Sequence, residues 1–552
     1  TMCPIRGSMC FLHAMSSSCR RNRFVSILSK GSFVLKRFMA GGVAFGTGVA
    51  ERDATSRLPS LFLDGWPSAA YQKFAWLGKY GPCFPVNGDQ ILVLTEPTEF
   101  YEVLKVKTRK AKKRITFASL YLGTGPLEHD LVSCVHEACS NAADRKKTDF
   151  KVNFLLDMTR GSRGEVNSRT MLQGLLNEFP EQVGVSLYHT PDLRGLLRSM
   201  VPERFNEVIG LTHMKVYLVD DSLIISGANL SNDYFTNRQD RYVLFNDCKD
   251  MADFFDDLVK TVSSFSFQLH KDDSLHLHRT WDSHPFQGRK NYFKWAAGER
   301  VESLLKCQIE MQKGVYRQLY LQPHLPEDER TSDLSDEKGQ TFDTWVYPLV
   351  QMGPLNIQRD EQATLQLMRD ASKDDEVLMA SGYFNLTDQF MEVILQESLA
   401  KYRLLMAAPE VNGFFGARGI AGYIPAAYIY LARQFFERTQ HLKESQRIQL
   451  FEYFREKWTF HVKGLWYYLP HQTLPSLTLV GSPNFGYRSV YRDLECQVAV
   501  VTDHKGLQEQ FREEHVRLFQ SSVLMTDERF QRADRQIPMW VTYATGLIKH
   551  FF

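Results

Sequence analysis

Apolar and polar residues follow a recurring order in the first half of the chain. A β-rich apolar run over residues 114–122 precedes a helical pattern over 126–142, and a second apolar run follows over 150–157. A strand, a helix and a strand at this spacing form a βαβ unit, whose two strands lie parallel in one sheet. The pattern therefore predicts a mixed β-sheet covered by helices.

The second half of the chain repeats this order. Apolar runs over 377–384 and 402–408 flank a helical pattern over 387–400. The pair Ala118-Ser119, with a tyrosine two residues after the serine, recurs at an offset of 262. Because internal repeats mark duplicated structural units, we predict an α/β fold of two similar lobes, each a mixed β-sheet flanked by helices.

A polar segment separates the two halves. Residues 323–341 (PHLPEDERTSDLSDEKGQT) are rich in charge and almost free of apolar side chains, which is typical of a solvated linker or surface loop. We therefore expect the first lobe to span residues 85–322, with its chemical motif at 213–240. The second lobe is expected to span 342–552, with its motif at 461–495.

The first fifty residues differ from the rest of the chain. They contain seven basic residues, frequent serines and no Asp or Glu. An acid-free leader that is rich in Arg and Ser is typical of a mitochondrial import sequence. We predict a disordered mitochondrial targeting leader over residues 1–50 and exclude it from the fold. A disordered basic tail with no targeting role is the alternative.

Composition narrows the class of protein. The 552 residues are 43% hydrophobic and 24% charged, and the net charge is +2, which is typical of a globular protein and gives no basic field for nucleic acid. The nine cysteines form no Cys-x-x-Cys pair, so neither a disulfide framework nor a zinc ribbon is expected. No run of 18 apolar residues occurs, and we therefore predict no bilayer-spanning segment.

The candidate chemistry is repeated in the two halves. Each half carries a histidine, a lysine two residues later, an asparagine in a turn of small residues, and an acid eleven residues after the asparagine. The two sets are His213, Lys215, Asn229 and Asp240, and His461, Lys463, Asn484 and Glu495. A single His-x-Lys on an apolar strand would usually be incidental, but two copies with matched partners indicate a functional site.

These residue types suit attack on a phosphodiester. A His-x-Lys pair on a strand points both side chains to one face. A histidine can act as nucleophile or as general acid and base, and a lysine neutralises phosphate oxygens as charge develops. The asparagine amides can donate to the same oxygens, and each acid can accept the second ring N–H of a histidine, which fixes its tautomer. The spacing alone does not rank the two histidines.

These motifs resemble the phospholipase D superfamily. The first copy, His213-x-Lys215 with Asp220 five residues further on and SGAN at 226–229, is similar to the signature of that superfamily, and Asp220 joins the candidate catalytic residues. The second copy departs from the signature, because Tyr468 stands where the acid is expected. Residues 231–242 and 481–495 are similar to the mitochondrial phosphatidyltransferases of this superfamily.

The resemblance implies a fold and an activity. It implies phospholipase D-like lobes with the active site at their interface, His213 as nucleophile and His461 as general acid and base. The implied reaction transfers the phosphatidyl group from CDP-diacylglycerol to sn-glycerol 3-phosphate through a phosphohistidine, which leads toward phosphatidylglycerol and cardiolipin. It needs no cofactor and no metal. A peripheral place on the mitochondrial inner membrane is also implied, and residues 411–436 are rich enough in aromatics to form an interfacial segment.

Two further sets of residues are candidates for substrate binding. Five arginines could hold the anionic acceptor: Arg160, Arg163, Arg169, Arg488 and Arg492. One turn could act as a nucleotide or phosphate loop, although it lacks the Gly-x4-Gly-Lys-Ser/Thr pattern: Ala118, Ser119, Leu120, Tyr121, Leu122, Gly123, Thr124 and Gly125. The alternative interpretations are surface arginines and a simple turn at the end of a strand.

Two other functions stay open at this point. A hydrolase of the same superfamily would transfer the phosphoryl group of a phospholipid or nucleic acid to water. A catalytically inactive lipid- or protein-binding scaffold is suggested only by Tyr468, and the retention of both His-x-Lys pairs argues against it. The oligomeric state is not determined by the sequence.

Overall fold

The fold is known from a computed structural model that describes residues 69–201, 206, 209–320 and 342–551. The predicted leader at 1–50 and the predicted linker at 323–341 lie outside the described residues. The described residues all belong to one compact unit.

Strands make up the centre of this unit. The first half contains β1 (Phe84–Val86), β2 (Ile91–Leu94), β3 (Arg114–Ala118), β4 (Lys151–Asp157), β5 (Val183–Tyr188), β6 (Val216–Val219), β7 (Ser222–Ser226), β8 (Arg238–Gln239), β9 (Tyr242–Phe245), β10 (Phe267–Leu269) and β11 (Leu275–Leu277). The second half contains β12 (Thr344–Met352), β13 (Ile357–Gln358), β14 (Glu376–Ser381), β15 (Lys401–Ala407), β16 (Ile448–Tyr453), β17 (Thr459–Phe460), β18 (Lys463–Tyr468), β19 (Leu477–Gly481), β20 (Leu494–Thr502) and β21 (Ser522–Leu524).

The helices cover these strands. They are α1 (Ala69–Phe74), α2 (Pro97–Arg109), α3 (Pro126–Asp144), α4 (Met158–Gly161), α5 (Ser168–Glu178), α6 (Gly195–Met200), α7 (Asn232–Thr236), α8 (Lys249–Ser263), α9 (Lys290–Tyr320), α10 (Arg359–Arg369), α11 (Asp388–Glu392), α12 (Ile424–His441), α13 (Tyr487–Tyr491), α14 (Lys505–Gln520), α15 (Asp527–Phe530) and α16 (Met539–Ile548). Within the described residues, no helix combines the length and the apolar character needed to cross a membrane.

Two mixed sheets contain nearly all of the strands. The nine-stranded sheet has the order β11-β10-β5-β4-β3-β6-β7-β9-β2, and the ten-stranded sheet has the order β1-β12-β20-β19-β18-β14-β15-β16-β21, with β13 beside β12. In each sheet three consecutive strands run parallel, β3-β4-β5 and β14-β15-β16. Antiparallel partners follow on one side, β6-β7-β9 and β18-β19-β20. The predicted α/β fold with a repeated sheet is confirmed.

The repeat extends to single hydrogen bonds. The hydroxyl of Ser119 donates to the carbonyl of Tyr121 at 3.1 Å, and that of Ser381 donates to the carbonyl of Tyr383 at 3.0 Å. The helix predicted over 387–400 is shorter in the structure. It consists of α11, which ends at Glu392, and of one π-helical turn that follows it. The two halves thus have the same local structure at the ends of the equivalent strands β3 and β14.

The core has three layers of apolar side chains. Helices α2, α3 and α5 pack on the outer face of the first sheet, and α10 and α12 pack on the outer face of the second. The inner faces share one cluster, in which Val216 and Val243 of the first sheet join Val480 and Val498 of the second. Burying apolar side chains contributes roughly 25 cal/mol per Å², so this shared layer holds the two sheets together and fixes the strand ends of one against those of the other.

The first strand of the chain, β1, belongs to the second sheet. Strand β1 pairs with β12, with Phe84 opposite Val346, whereas β2 pairs with β9 in the first sheet. The segment before the predicted boundary at residue 85 therefore contributes helix α1 to the core of the second half. A strand as short as β1 carries too weak a pattern to reveal its partner, which lies more than 250 residues away.

Candidate active site

The histidine of the first half is held by the acid of the second half. The Nδ1 atom of His213 lies 3.0 Å from both carboxylate oxygens of Glu495. Both residues are buried. A carboxylate at Nδ1 keeps the proton on that nitrogen and leaves the lone pair on Nε2, which is the form needed for attack on phosphorus.

The histidine of the second half has the reciprocal arrangement. The Nδ1 atom of His461 lies 2.6 Å from Asp240 Oδ2. Its Nε2 atom lies 3.3 Å from the hydroxyl of Tyr234. Each histidine therefore receives its carboxylate from the other half of the chain, and the site is built at the interface between the two repeats.

Backbone pairing between the halves explains the crossed contacts. The N–H of His213 donates to the carbonyl of Leu494 at 2.8 Å, and the N–H of His461 donates to the carbonyl of Gln239 at 2.8 Å. Each histidine is thus bound to the residue immediately before an acid of the other half. Asp157 and Asp493 accept the N–H groups of the residues that precede His213, so the strand end is fixed on both sides.

A buried ion pair strengthens the contact near Asp240. The guanidinium of Arg241, which is 1% exposed, donates to Glu514 of α14 at 2.9 and 2.8 Å and to the carbonyl of Leu479 at 2.7 Å. Its Cζ atom lies 4.1 Å from the ring centroid of Trp466. Removal of one partner from a buried pair costs about 3–5 kcal/mol, and Arg241 therefore anchors the strand of Asp240 in the second half.

The two lysines lie inside the site. Lys215 Nζ donates to the carbonyl of His213 at 2.6 Å, and Lys463 Nζ lies 2.7 Å from Nδ1 of His461. Lys463 is also 3.7 Å from Asp240. Both ammonium groups are about 1% exposed, and in such surroundings charge acts more strongly than in water. They are placed to stabilise the phosphate oxygens of a substrate.

Burial and these cations set the protonation of the histidines. Burial lowers the pKa of His213 well below its usual value, and the charges of Lys215, Lys463 and Arg488 lower it further. Burial and Lys463 also lower the pKa of His461, against the opposing effect of Asp240. The imidazole of His213 therefore stays neutral at pH values below 6.5, and a neutral imidazole is the nucleophilic form.

The two asparagines occupy equivalent positions. The Oδ1 atoms of Asn229 and Asn484 are buried and have no hydrogen-bond partner within the described part of the chain. Buried amides normally have partners, so an unpaired oxygen at each position can accept a hydrogen bond from a ligand. Donation to phosphate would come from the amide nitrogens, and that role of the two asparagines stays a prediction.

Acidic groups surround His213 on one side. Asp493 Oδ2 lies 3.0 Å from Nε of Arg488, and burial raises the pKa of Asp493 to about 7. The hydroxyl of Ser489 donates to Glu495 at 2.8 Å. His213, Asp493 and Glu495 place ligand-type atoms within 4.8 Å of one another, but Arg488 and His213 already hold the two carboxylates.

The five predicted arginines are not gathered in one place. Arg488 lies beside His213, and Arg160 has its Cζ 3.9 Å from the ring centroid of Tyr121. Arg163 lies two residues after the end of α4. Arg169 is paired with Asp273 at 2.7 Å, and Arg492 donates to the carbonyl of His550 at 3.0 Å. Arg169 and Arg492 thus have partners on the protein, and a role for any of the five in binding the acceptor stays a prediction.

The turn at residues 118–125 is occupied by a carboxylate. A Cβ atom on Gly123 or Gly125 would lie 2.3 or 2.8 Å from an oxygen of Glu128. Glu128 also accepts the N–H of Asn232 at 2.5 Å. A carboxylate packed against the turn repels phosphate, so this turn serves as a structural connection between β3 and α3.

Asp220 lies away from the two histidines. It follows β6 with a φ of 55° and accepts the backbone N–H groups of Lys112, Lys113 and Arg114 at 2.6–3.1 Å. Seven residues of extended chain separate it from His213, which is roughly 20 Å. The assignment of Asp220 to the catalytic residues is therefore corrected to a structural role at the start of β3.

Tyr468 in the second half meets a different partner. Its hydroxyl bonds Nε2 of His515 on α14. Burial and nearby arginines lower the pKa of His515 to about 3, so this imidazole is neutral and can accept the bond. Tyr468 and Asp220 occupy equivalent positions in the repeat, and both are remote from the two catalytic histidines. The replacement of an acid by Tyr468 therefore does not change the residues around these histidines.

Asp220→Asn is expected to lower stability and leave turnover nearly unchanged. The carboxylate satisfies three backbone donors, and weakening such contacts costs about 1–3 kcal/mol. The thermal midpoint should fall, while kcat with saturating substrates should stay within about twofold of the wild type. A tenfold loss of kcat at an unchanged midpoint would return Asp220 to the reaction centre.

Sequence reasoning missed three residues around His461. Tyr234 and Arg238 lie between Asn229 and Asp240, and the ring centroid of Tyr383 lies 5.5 Å from that of His461. Tyr383 could have been found as the repeat of Tyr121. Tyr234 and Arg238 carry no repeat signal, because the equivalent positions after Asn484 are Ser489 and Asp493.

No family model matches the chain. The mitochondrial CDP-diacylglycerol–glycerol-3-phosphate 3-phosphatidyltransferase of Homo sapiens is 48% identical over 481 residues, which cover 87% of this chain and 86% of the relative. The CDP-diacylglycerol–glycerol-3-phosphate 3-phosphatidyltransferase of Schizosaccharomyces pombe is 34% identical over 500 residues, 85% of this chain and 95% of the relative. The phosphatidylserine synthase of Haemophilus influenzae superposes with a TM-score of 0.60 at 18% identity, over 88% of this chain and all of that one.

The repeated sheets and the pair of His-x-Lys motifs at their interface define a phospholipase D-like phosphotransferase fold. Sequence identity near one half over most of both chains is more specific than the fold. The chain belongs to the CDP-diacylglycerol–glycerol-3-phosphate 3-phosphatidyltransferase family.

Proposed function

We propose that this chain transfers the phosphatidyl group of CDP-diacylglycerol to sn-glycerol 3-phosphate, with phosphatidylglycerophosphate and CMP as products. Family membership supports the choice of substrates. The observation that carries the chemistry is the pair of buried histidines, each with Nδ1 on a carboxylate of the other half. Two such histidines can divide a displacement at phosphorus into two steps.

In the first step His213 is the nucleophile. Its Nε2 attacks the phosphatidyl phosphorus, a P–N bond forms, and the bond to the CMP oxygen breaks. His461 gives its Nε2 proton to the leaving CMP. The negative charges of the bound substrate and of Asp240 keep this proton on the ring until then, against the lowering of its pKa by burial and Lys463. Glu495 stabilises the positive charge that develops on the His213 ring, in the manner of a triad carboxylate.

In the second step the acceptor replaces the histidine. The primary hydroxyl of sn-glycerol 3-phosphate loses its proton to His461 and forms the new P–O bond, while the P–N bond to His213 breaks. Lys215 and Lys463, with the amides of Asn229 and Asn484, hold the non-bridging oxygens throughout. The protons and bonds balance without any group besides these side chains and the two substrates.

An assay with labelled CDP-diacylglycerol tests the proposal. Release of CMP should depend on sn-glycerol 3-phosphate, and the label should appear in phosphatidylglycerophosphate. The principal alternative is a hydrolase of the same fold. Steady CMP release at the same rate without the acceptor, with phosphatidate as the labelled product, would establish hydrolysis and overturn the transferase.

We further propose that the protein acts in the mitochondrion at the surface of the inner membrane. The relatives in Homo sapiens and Mus musculus are named as mitochondrial, and the diacyl substrate resides in a bilayer. An exposed aromatic patch supports peripheral contact. It consists of Ile420, Tyr423, Met539, Trp540 and Tyr543, which are 44–75% exposed. The rings of Tyr423 and Trp540 are in contact, with centroids 4.6 Å apart.

Substitution of this patch is expected to weaken membrane binding. Tyr and Trp favour the interface between lipid and water, and burial of two aromatic side chains contributes at least 1–2 kcal/mol. The double variant Trp540→Ser and Tyr543→Ser should bind vesicles of phosphatidylcholine and cardiolipin about 10-fold more weakly in a flotation assay. Activity on CDP-diacylglycerol dispersed in detergent should be retained.

A second exposed aromatic pair provides the matched control. Tyr292 and Trp295 on α9 are 47% and 61% exposed, and their ring centroids lie 5.9 Å apart. The variant Tyr292→Ser and Trp295→Ser should bind the vesicles like the wild type. If the α9 variant loses binding and the α16 variant does not, the membrane contact lies on the other surface.

A further inference from the structure

One arginine and two tyrosines converge beside His461. Arg238 begins β8, Tyr234 lies on α7, and Tyr383 follows β14. The first two come from the first half and the third from the second half, so only the folded protein brings them together. We call Tyr234, Arg238 and Tyr383 the acceptor cluster.

The acceptor cluster adjoins the proposed general base. The hydroxyl of Tyr234 lies 3.3 Å from Nε2 of His461, and the Cζ atom of Arg238 lies 4.7 Å from the ring centroid of Tyr234. The ring of Tyr383 meets the imidazole of His461 edge-on, at 5.5 Å between centroids. The hydroxyl of Tyr234 thus borders the nitrogen that would accept a proton from the incoming hydroxyl, and the other two side chains lie beside Tyr234 and the ring of His461.

A glycine keeps space between the donor groups. A Cβ atom on Gly413 would lie 3.1 Å from the hydroxyl oxygen of Tyr383 and 3.5 Å from Nη2 of Arg238. The hydroxyl of Tyr383 and the guanidinium of Arg238 therefore both lie close to Gly413, and a larger side chain at that position would crowd them. Two donors that approach one point suit a compact anion.

The charge of Arg238 is fixed in place and only partly neutralised. Its Nε donates to Thr459 Oγ1 at 3.0 Å, and its Nη2 lies 3.3 Å from Asp233 Oδ2. Asp233 is 59% exposed at its side chain, where solvent weakens an ion pair to about 0–1 kcal/mol. The remaining charge of the guanidinium is therefore available to an anion, in the fork geometry that suits a phosphate.

The two sides of the site carry different arginines. Arg488 is paired at 3.0 Å with Asp493, which lies beside His213, whereas Arg238 lies against the ring of Tyr234, whose hydroxyl is 3.3 Å from Nε2 of His461. The acceptor must place its hydroxyl at His461 while its phosphate remains a few bonds away. An anion site on the His461 side meets this requirement.

We propose that Arg238, with the hydroxyls of Tyr234 and Tyr383, binds the phosphate monoester of the acceptor and so directs its primary hydroxyl to His461. This inference rests on the proposed transfer to sn-glycerol 3-phosphate. In the second step the hydroxyl proton passes to Nε2 of His461, the new P–O bond forms, and the bond between phosphorus and His213 breaks. The phosphate monoester itself takes no part in bond changes.

Arg238→Gln tests the acceptor site in two reactions of the whole enzyme. The first is phosphatidyl transfer to sn-glycerol 3-phosphate. The second is exchange of labelled CMP into CDP-diacylglycerol, which needs His213 and His461 but no acceptor. Loss of the charged donor should raise the KM for sn-glycerol 3-phosphate at least about 10-fold, and the exchange rate should stay near that of the wild type.

Two further variants sharpen the test. Tyr383→Phe removes one hydroxyl and should raise the same KM by a smaller factor. Arg369→Gln is the matched control, because this arginine is 46% exposed and paired with Glu397 on the surface of the second half. Its KM and exchange rate should both equal those of the wild type.

The outcomes are distinct. If wild-type enzyme transfers to sn-glycerol 3-phosphate but Arg238→Gln leaves its KM unchanged, the acceptor site is wrong and the proposed function stands. Equal losses in transfer and in CMP exchange would show that Arg238 only supports His461, which also overturns the inference. If the wild type exchanges CMP but transfers nothing to sn-glycerol 3-phosphate, the proposed function fails, and the acceptor site fails with it.

Discussion

His213→Ala is expected to abolish both CMP release and lipid product formation, with a loss of about 10⁴-fold or more. Without Nε2 no P–N bond can form, so neither half of the reaction proceeds. Burial and the neighbouring cations keep the imidazole of His213 neutral and therefore nucleophilic. The carboxylate of Glu495, which contacts this ring, cannot replace it as the nucleophile. The measurement is turnover of labelled CDP-diacylglycerol together with trapping of the labelled protein adduct, which should be absent.

His461→Ala should behave differently. CMP is a far better leaving group than the acceptor alkoxide would be, so the general base is needed more in the second step than the acid is in the first. We expect the adduct on His213 to form and to decay slowly in this variant. His129→Ala, at an exposed position on α3, is the control and should match the wild type. Near-normal turnover by His213→Ala would contradict the mechanism.

Glu495→Gln is expected to disable the histidine of the opposite half. The carboxylate holds Nδ1 of His213 with both oxygens at 3.0 Å, which fixes the tautomer and balances the charge that develops on the ring. An amide can donate to Nδ1 and so favour the wrong tautomer. Losses from such a change reach about 10²–10⁴-fold in triads. The adduct on His213 should therefore fail to form.

Asp240→Asn is the matched variant on the other side. Because Asp240 bonds His461 at 2.6 Å, this variant should resemble His461→Ala, with an adduct that forms and decays slowly. Adduct yield after a single turnover distinguishes the two cases. If Glu495→Gln accumulates the adduct and Asp240→Asn prevents it, each acid serves the histidine of its own repeat, and the crossed arrangement does not operate in solution.

The sequence predicted the parts of the fold that depend on local pattern. The strands β3, β4, β14 and β15 follow from apolar runs that recur in the same order in the two halves, and the two sheets repeat their strand order accordingly. The place of β1 in the second sheet could not be predicted, because a three-residue strand has almost no periodicity. The role of Asp220 was also misjudged. Its spacing from His213 matches the signature, but β6 lies between the two residues, so Asp220 is at the opposite end of that strand from His213.

Spacing also determined which residue types form the site. Two copies of His-x-Lys, each with an asparagine and an acid eleven residues apart, indicated phosphoryl transfer, because side chains two residues apart share one face of a strand. The structure places the histidines just before the strands, since β6 begins at Val216 and β18 at Lys463. That argument needs only the geometry of a single strand. It could not show which acid orients which histidine, since both pairings satisfy the same spacing.

Only the tertiary structure decided the partners. Glu495 meets His213 and Asp240 meets His461 because strand ends of the two halves pair through backbone hydrogen bonds one residue before each acid. Arg238 joins Tyr383 for the same reason. Such contacts link positions more than 100 residues apart, and they depend on how two sheets pack, which no local pattern encodes. The sequence by itself therefore determined the chemistry, and the packing of the sheets decided how its residues are paired.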